Sequence, residues 1–128
     1  MSATIINLTP HPVTLFPAHT PDRIEPGNVA PTRIIPSATD YPPARLAQRV
    51  QPNTLTEIAG VPVESVQFNT DPGCASTLPE PADGTWYIVP LAVAITAAQR
   101  HDLLVVHDCV RLPHGRIIGY RKLASPHH

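Results

Sequence analysis

The most regular hydrophobic pattern in the chain lies between Gly84 and Asp108, in the sequence GTWYIVPLAVAITAAQRHDLLVVHD. The aromatic and β-branched run 85–89 predicts a strand. The continuous apolar run 103–106 predicts a second strand that is buried on both faces. Pro90 is expected at the first helical position, and the helix should cover about residues 90–100. Because so short a crossover joins the two strands, we expect them to be parallel, or nearly so, in one sheet.

The helix predicted in this segment is apolar almost all the way round, with Leu91 and Ile95 one turn apart. Such a helix is expected to be buried on more than one side. Either a long loop or a second subunit would have to cover its outer face. The pattern therefore favours a homo-oligomer.

Shorter β-rich runs, separated by proline and glycine, occupy the rest of the chain. The runs 4–8 and 13–16 flank a Thr-Pro-His-Pro connector and predict a hairpin or a bent strand pair. A strand is favoured over a short helix for 44–50, and Ala59-Gly60 is expected to turn the run 54–58 into the run 61–68. The loop 112–115 predicts a C-terminal hairpin. Further expected elements are a strand over 32–35 and a long loop over 69–83.

These elements predict one α+β domain over residues 1–128, with a mixed, mostly antiparallel sheet and one principal helix at about 90–100. The pattern does not decide whether this sheet closes into a barrel. Seventeen prolines among 128 residues are more than twice the usual share of about 5%. Since proline removes donors from a strand ladder, short strands and ordered loops are expected.

Charge and composition exclude several classes of function. The net charge is −1 and only 15% of residues are charged, so we expect no binding to nucleic acid or to an anionic membrane. The N-terminus does not resemble a signal peptide, and no apolar run is long enough to span a membrane. Cys74 and Cys109 lie far apart without a CxxC motif. We expect free thiols and a cytoplasmic, reducing location.

No arrangement of residues in the sequence carries a catalytic signature. The histidines do not show metal-ligand spacing, so neither a metal nor another cofactor is expected. A nucleophilic role for Cys74 finds no supporting motif, and no phosphate-binding glycine loop follows a strand. An enzyme is therefore less favoured than a binding protein. The metal ligands considered are His11, His19, His101 and His107.

Three segments together resemble a group of short proteins from actinobacteria and their phages or prophages, which have no established activity. The segments are IINLTPHPVTLF, LPEPADGTWYIVPLAVAITAAQR and DLLVVHDCVRLPHGRIIGYRKL. The Asn-Leu-Thr-Pro-His opening is the most specific part, and the match covers about half of the chain. His101 stands where the group tends to have an arginine before Asp-Leu.

The phage context of this resemblance implies a specific function. Small β-rich phage proteins are known that sequester the nucleotide messengers of bacterial immunity. By that analogy we expect a non-enzymatic protein that binds a small, nucleotide-like anion. The alternative is a structural or protein-interaction accessory factor, such as a phage protein that binds a host protein. The ligand-binding residues expected by analogy are Thr9, His11, Arg100, Arg111 and Tyr120.

Overall fold

The computed structural model describes residues 3–46, 48–68, 75–76, 78–97 and 99–126. Within these residues the chain forms twelve strands and one helix. In chain order they are β1 (Thr4–Asn7), β2 (Val13–Leu15), β3 (Arg33–Ile35), β4 (Arg45–Leu46), β5 (Gln48–Val50), β6 (Thr56–Ile58), β7 (Val61–Val63), β8 (Val66–Phe68), β9 (Ala75–Ser76), β10 (Thr85–Ile88), α1 (Leu91–Thr96), β11 (Leu103–Arg111) and β12 (Ile117–Ala124).

A mixed six-stranded sheet forms the body of the protein, in the order β1-β10-β11-β12-β2-β3. An isolated parallel bridge between Asn7 and Ser37 brings its two edges together, so the sheet is nearly a closed barrel. The predicted α+β class and barrel-like mixed sheet are confirmed. Three of the five pairings in this sheet are parallel. Antiparallel pairings predominate only when the three small sheets of the described chain are included.

The strands predicted around the central hydrophobic segment pair with each other directly. β10 and β11 are parallel, with Tyr87 beside Leu103 and Ile88 beside Leu104. Ile88 and Leu103 are fully buried, and Tyr87 is 2% exposed. The prediction of two adjacent parallel strands in one sheet is therefore confirmed, and this pair supplies much of the core.

The helix between these strands is shorter and less covered than predicted. Pro90 is the N-cap, with an extended ψ of 148°, and is not the first helical residue as expected. The helix ends at Thr96 because Ala97 leaves the helical region. Val93 and Ala94 are buried, whereas Leu91 is 58% exposed and Ile95 is 64% exposed. The expected burial on more than one side is wrong for Leu91 and Ile95 in this chain alone, because α1 packs against β11 and β4 and leaves these two side chains exposed.

The first two strands do not form the hairpin that their sequence predicts. β1 pairs in parallel with β10, and β2 pairs with β12 and β3. Pro10 and Pro12 prevent a tight two-residue turn. The side chain of Asn7 instead holds the connection between β1 and β2 through hydrogen bonds with Thr9 and His11. The predicted run 61–68 is also two strands, since it is interrupted at Glu64 and Ser65.

The C-terminal hairpin is confirmed and is the longest pairing in the described sheet. β11 and β12 are antiparallel, with a register shift between Val110 and Arg111. Asp108 adopts a φ of 63° in the middle of β11, a conformation that is uncommon for a residue other than glycine. A Cβ at Gly119 would lie 2.5 Å from the Phe16 ring, so only glycine fits there.

Three short antiparallel strand pairs follow one another along a β-ribbon outside the six-stranded sheet, each pair lying within the previous one in sequence. β4 pairs with β9, β5 with β8, and β6 with β7, all antiparallel. We call residues 45–46, 48–50 and 66–68 the ribbon base and residues 51–65 the ribbon tip. Ala59 and Gly60 both have positive φ, at 51° and 80°, as a two-residue type I′ turn requires. The turn expected at Ala59-Gly60 is therefore confirmed.

Candidate functional site

The Asn-Leu-Thr-Pro-His segment is held by a buried side chain that the sequence analysis did not select. Asn7 is 1% exposed, and its Nδ2 donates to the carbonyl oxygens of His11 at 2.8 Å and Ile35 at 3.1 Å. Its Oδ1 accepts from the backbone N–H of Thr9 at 2.9 Å, which is an Asx turn. Because Ala38 N–H donates to the Asn7 carbonyl at 2.8 Å, this residue also closes the barrel.

The hydroxyl of Thr9, a predicted ligand contact, lies within the same network. Its Oγ1 is 2.6 Å from Asn7 Oδ1 and 3.0 Å from the His11 carbonyl oxygen. A hydroxyl has one hydrogen to donate, so it serves one of these two acceptors at a time. Thr9 thus stabilises the loop that carries His11, whose side chain is exposed.

The two predicted arginines lie in separate places, and each contacts its own part of the fold. Arg100 forms a bidentate pair with Asp102, at 2.8 Å and 2.7 Å, and lies 6.0 Å from the centre of the Tyr87 ring. The hydrogen bonds that Arg100 donates to the Asp102 carboxylate raise the pKa of Arg100. Arg111 Nη1 donates to the Gly115 carbonyl at 2.8 Å within the C-terminal hairpin. Neither guanidinium lines the depression that contains His11 and Tyr120.

The structure brings two of the five predicted residues together. His11 and Tyr120 line a depression of about 550 Å³, where the start of β2 diverges from β12. Arg116 lines the same depression and supplies a cation that the prediction did not include. An imidazole, a phenol ring and a guanidinium can together contact a planar anion.

An ion-pair cluster anchors the loop before Ile24 to the C-terminal hairpin. Arg121 donates to the Thr20 carbonyl at 2.6 Å, to Asp22 at 2.5 Å and to Asp108 at 2.7 Å. The hydrogen bonds with the two carboxylates raise the pKa of Arg121, and the same contact lowers the pKa of Asp108. With all these donors engaged, the cluster stabilises the fold, and the left-handed backbone of Asp108 brings its carboxylate to the arginine.

Metal binding and nucleophilic catalysis find no support in the described part of the chain. No group of three or more His, Cys, Asp or Glu side chains there could hold a metal ion. Cys109 is half-buried with a free thiol, and Cys74 lies outside the described residues. Within the same residues, no helix has the length and apolar character needed to cross a membrane.

The ribbon base presents an apolar face and a polar face. Residues directly opposite in an antiparallel pair share a face, and successive residues alternate between faces. Val50 lies opposite Val66, and Phe68 lies on their face, whereas Arg49 opposes Gln67 on the other face. The apolar face is open, because Val50 is 48%, Val66 40% and Phe68 50% exposed.

The ribbon tip repeats this segregation. Ile58 lies opposite Val61, and Val63 shares their face, whereas Glu57 opposes Pro62 on the other face. Ile58 and Val61 are about 60% exposed. Apolar side chains that are exposed on one face of a ribbon, with no described element packed over them, are typical of a surface that another protein covers.

The exposed side of α1 lies next to the ribbon base. The apolar face of the base and the helix enclose a groove of about 520 Å³, to which Phe68 contributes a ring from the ribbon side. Leu91 and Ile95 project from the same helix into solvent. The other groove residues include Ala44, Arg45, Leu46, Pro90, Ala92 and Val93.

Comparison with protein-family models, with curated proteins and with solved structures finds no match to this chain. The functional argument therefore depends on the geometry of the molecule. Sequence reasoning selected single polar residues and missed both Asn7 and the ribbon. Two signals were present: Asn7 precedes Thr9 at Asx-turn spacing, and apolar residues recur at alternate positions after Ala59-Gly60, first as Val61 and Val63 and then as Val66 and Phe68.

Proposed function

We propose that this chain is a structural or protein-interaction subunit that acts in a homo-oligomer or a larger assembly through its ribbon. The observation that supports this proposal is the exposure of apolar side chains on one face of the ribbon base and on one face of the ribbon tip. Apolar side chains that an ordered ribbon exposes to water have an unfavourable hydration free energy, and a protein partner that covers them removes that cost. The apolar residues of the ribbon are Val50, Leu55, Ile58, Val61, Val63, Val66 and Phe68.

The area of this surface is sufficient for specific association. Taking about 150 Å² for a fully exposed large apolar residue, the seven ribbon side chains expose roughly 500 Å². The largest apolar patch on an ordinary monomer is about 300–600 Å², and such patches are often functional. Burial at about 25 cal/mol per Å² would contribute on the order of 12 kcal/mol before the costs of association.

Two neighbouring substitutions test this proposal with a matched control. Val66 and Gln67 are both exposed and lie on opposite faces of β8. Val66→Asp places a charge on the apolar face, and Gln67→Asp places the same charge on the polar face. We expect proteins captured from extracts of the source cells by the wild type to be retained by Gln67→Asp and lost by Val66→Asp. Equal capture by both variants would refute the proposal.

A small anionic ligand is the second candidate, and the depression around His11, Arg116 and Tyr120 favours it. A planar, nucleotide-like anion could stack on the phenol ring while the guanidinium contacts its charge. Calorimetric titration with cyclic dinucleotides and cyclic ADP-ribose isomers tests this function, with Arg116→Gln as the control variant. Binding heat that persists in that variant would place any ligand elsewhere. No heat with any of these compounds would remove this candidate.

A further inference from the structure

Two apolar surfaces of different shape lie on this chain, one at each end of the ribbon. The tip is a two-stranded hairpin that ends at the Ala59-Gly60 turn, whereas the groove beside α1 is a cavity at the base. If the ribbon is a docking surface, as proposed above, both of these surfaces must be covered. We infer that the ribbon tip of one copy docks into the groove and onto the exposed helix face of a second copy, so that subunits assemble head to tail.

The tip cannot reach the groove of its own chain while the ribbon keeps this structure. Val61 to Phe68 spans seven residue steps, which is roughly 20 Å at about 3.3 Å per residue. The strands β6 and β7 pair with each other and pack extensively on no other described element. Because β4 packs against α1 at the base, the tip lies at the far end of the ribbon.

The charges at the two ends are complementary. The tip, residues 51–65, contains the carboxylates of Glu57 and Glu64 and no basic residue. Arg45 lines the groove, and the groove segments 44–50 and 90–97 contain no acidic residue. Arg49 lies on the other face of the base and does not contribute there. Tip-to-groove contact therefore brings the carboxylates of the tip towards Arg45, whereas tip-to-tip contact would bring like charges together.

The area at such a contact meets the requirement for a specific interface. The apolar side chains at the tip and those at the groove together expose on the order of 600 Å². Since apolar atoms make up about 57% of an ordinary interface, the total buried area is about 1,000 Å². That value lies at the threshold for a biological interface, so we expect an assembly that dissociates on dilution. The contributing residues are Leu55, Ile58, Val61 and Val63 at the tip, Phe68 in the groove, and Leu91 and Ile95 on the exposed face of the helix, outside the groove lining.

A tip-to-groove contact joins two different patches, so it is heterologous. Each copy keeps one unused tip or one unused groove after the first contact, and assembly continues until a ring closes or a filament grows. An isologous contact between two ribbons would stop at a dimer. The two modes therefore predict different stoichiometries for the same exposed surface.

A mixing experiment with two full-length variants separates these modes. Ile58→Asp disables the tip, and the pair Leu91→Glu with Ile95→Glu disables the groove side; all three positions are exposed. We expect the wild type to form oligomers larger than a dimer as its concentration rises from roughly 1 μM to about 1 mM, measured by light scattering. Each variant alone should be monomeric over that range. Their equimolar mixture should form a discrete dimer, because it contains one intact tip and one intact groove.

The outcomes distinguish this inference from the proposed function. A dimer in the mixture also demonstrates that both variants are folded. A groove variant that still assembles alone, or a mixture that stays monomeric while the wild type assembles, would overturn head-to-tail docking. Far-ultraviolet circular dichroism of each variant provides a second check on folding. A wild type that is monomeric at every concentration would overturn self-docking and leave the capture experiment with Val66→Asp to decide the proposed function.

Discussion

The buried side chain of Asn7 should make a larger contribution to stability than its size suggests. It takes part in four hydrogen bonds that join the Thr9–His11 loop and the Ile35 carbonyl to β1. A hydrogen bond contributes about 1 kcal/mol net, and a buried partner left unsatisfied costs about 1–3 kcal/mol more. We therefore expect Asn7→Ala to lower the free energy of unfolding by about 3–5 kcal/mol.

Equilibrium unfolding in urea, followed by the fluorescence of the single tryptophan, Trp86, measures this loss. Trp86 lies in β10, which pairs directly with β1, so its emission reports on the affected region. Thr9→Val is the matched control, because it removes one hydroxyl from the same network and should cost about 1 kcal/mol. A loss below 1 kcal/mol for Asn7→Ala, or equal losses for the two variants, would refute the assignment of Asn7 as the group that closes the barrel.

Three further predictions concern the barrel and its ion pairs. Gly119→Ala should lower the free energy of unfolding by about 1–3 kcal/mol in the same urea assay, because its Cβ would overlap the Phe16 ring. The contact with Arg121 lowers the pKa of Asp108 below 3.8, so its stabilisation is present above that pH and is lost as the pH falls through the lowered pKa. We therefore expect Asp108→Asn to reduce the loss of stability on acidification below about pH 4, and an unchanged acid profile would contradict this reasoning. Burial raises the pKa of Tyr87 above 10.0, so the difference in ultraviolet absorbance between wild type and Tyr87→Phe should titrate above that pH.

The parts of the fold that local pattern determines could be predicted from sequence. β10, β11 and their parallel pairing follow from two dense apolar runs on either side of a short helix. The C-terminal hairpin and the Ala59-Gly60 turn follow from strand runs beside residues that favour turns. In each case the information lies within about 25 consecutive residues.

The parts that depend on long-range partners could not be predicted in this way. β1 and β2 are close in sequence, yet β1 pairs with β10, about 80 residues away, and the Asn7 side chain donates to the Ile35 carbonyl, 28 residues away. The helix pattern indicated that Leu91 and Ile95 should be covered, but no sequence pattern shows whether the cover belongs to the same chain. In the head-to-tail assembly proposed above, a second copy would cover these two side chains.

The predicted ligand residues illustrate the same limit. Thr9, Arg100 and Arg111 are polar residues near loops, which is typical of binding sites and equally of groups that satisfy local backbone carbonyls. The structure brings only His11 and Tyr120 into one depression, and it adds Arg116 there. Tyr120 and Arg116 become neighbours of His11 only because β12 pairs with β2, which lies about 100 residues earlier in the chain. No local pattern in the sequence indicates that pairing.

Hydrogen–deuterium exchange across the ribbon is the measurement that tests the docking surface most directly. The backbone amides of β5 to β8 should be compared between the dissociated protein and its assembled or partner-bound state. We predict that amides in 48–50 and 56–68 exchange at least about tenfold more slowly once the apolar face is covered. Unchanged exchange along the ribbon, with protection confined to the barrel, would contradict the role of the ribbon as a docking surface.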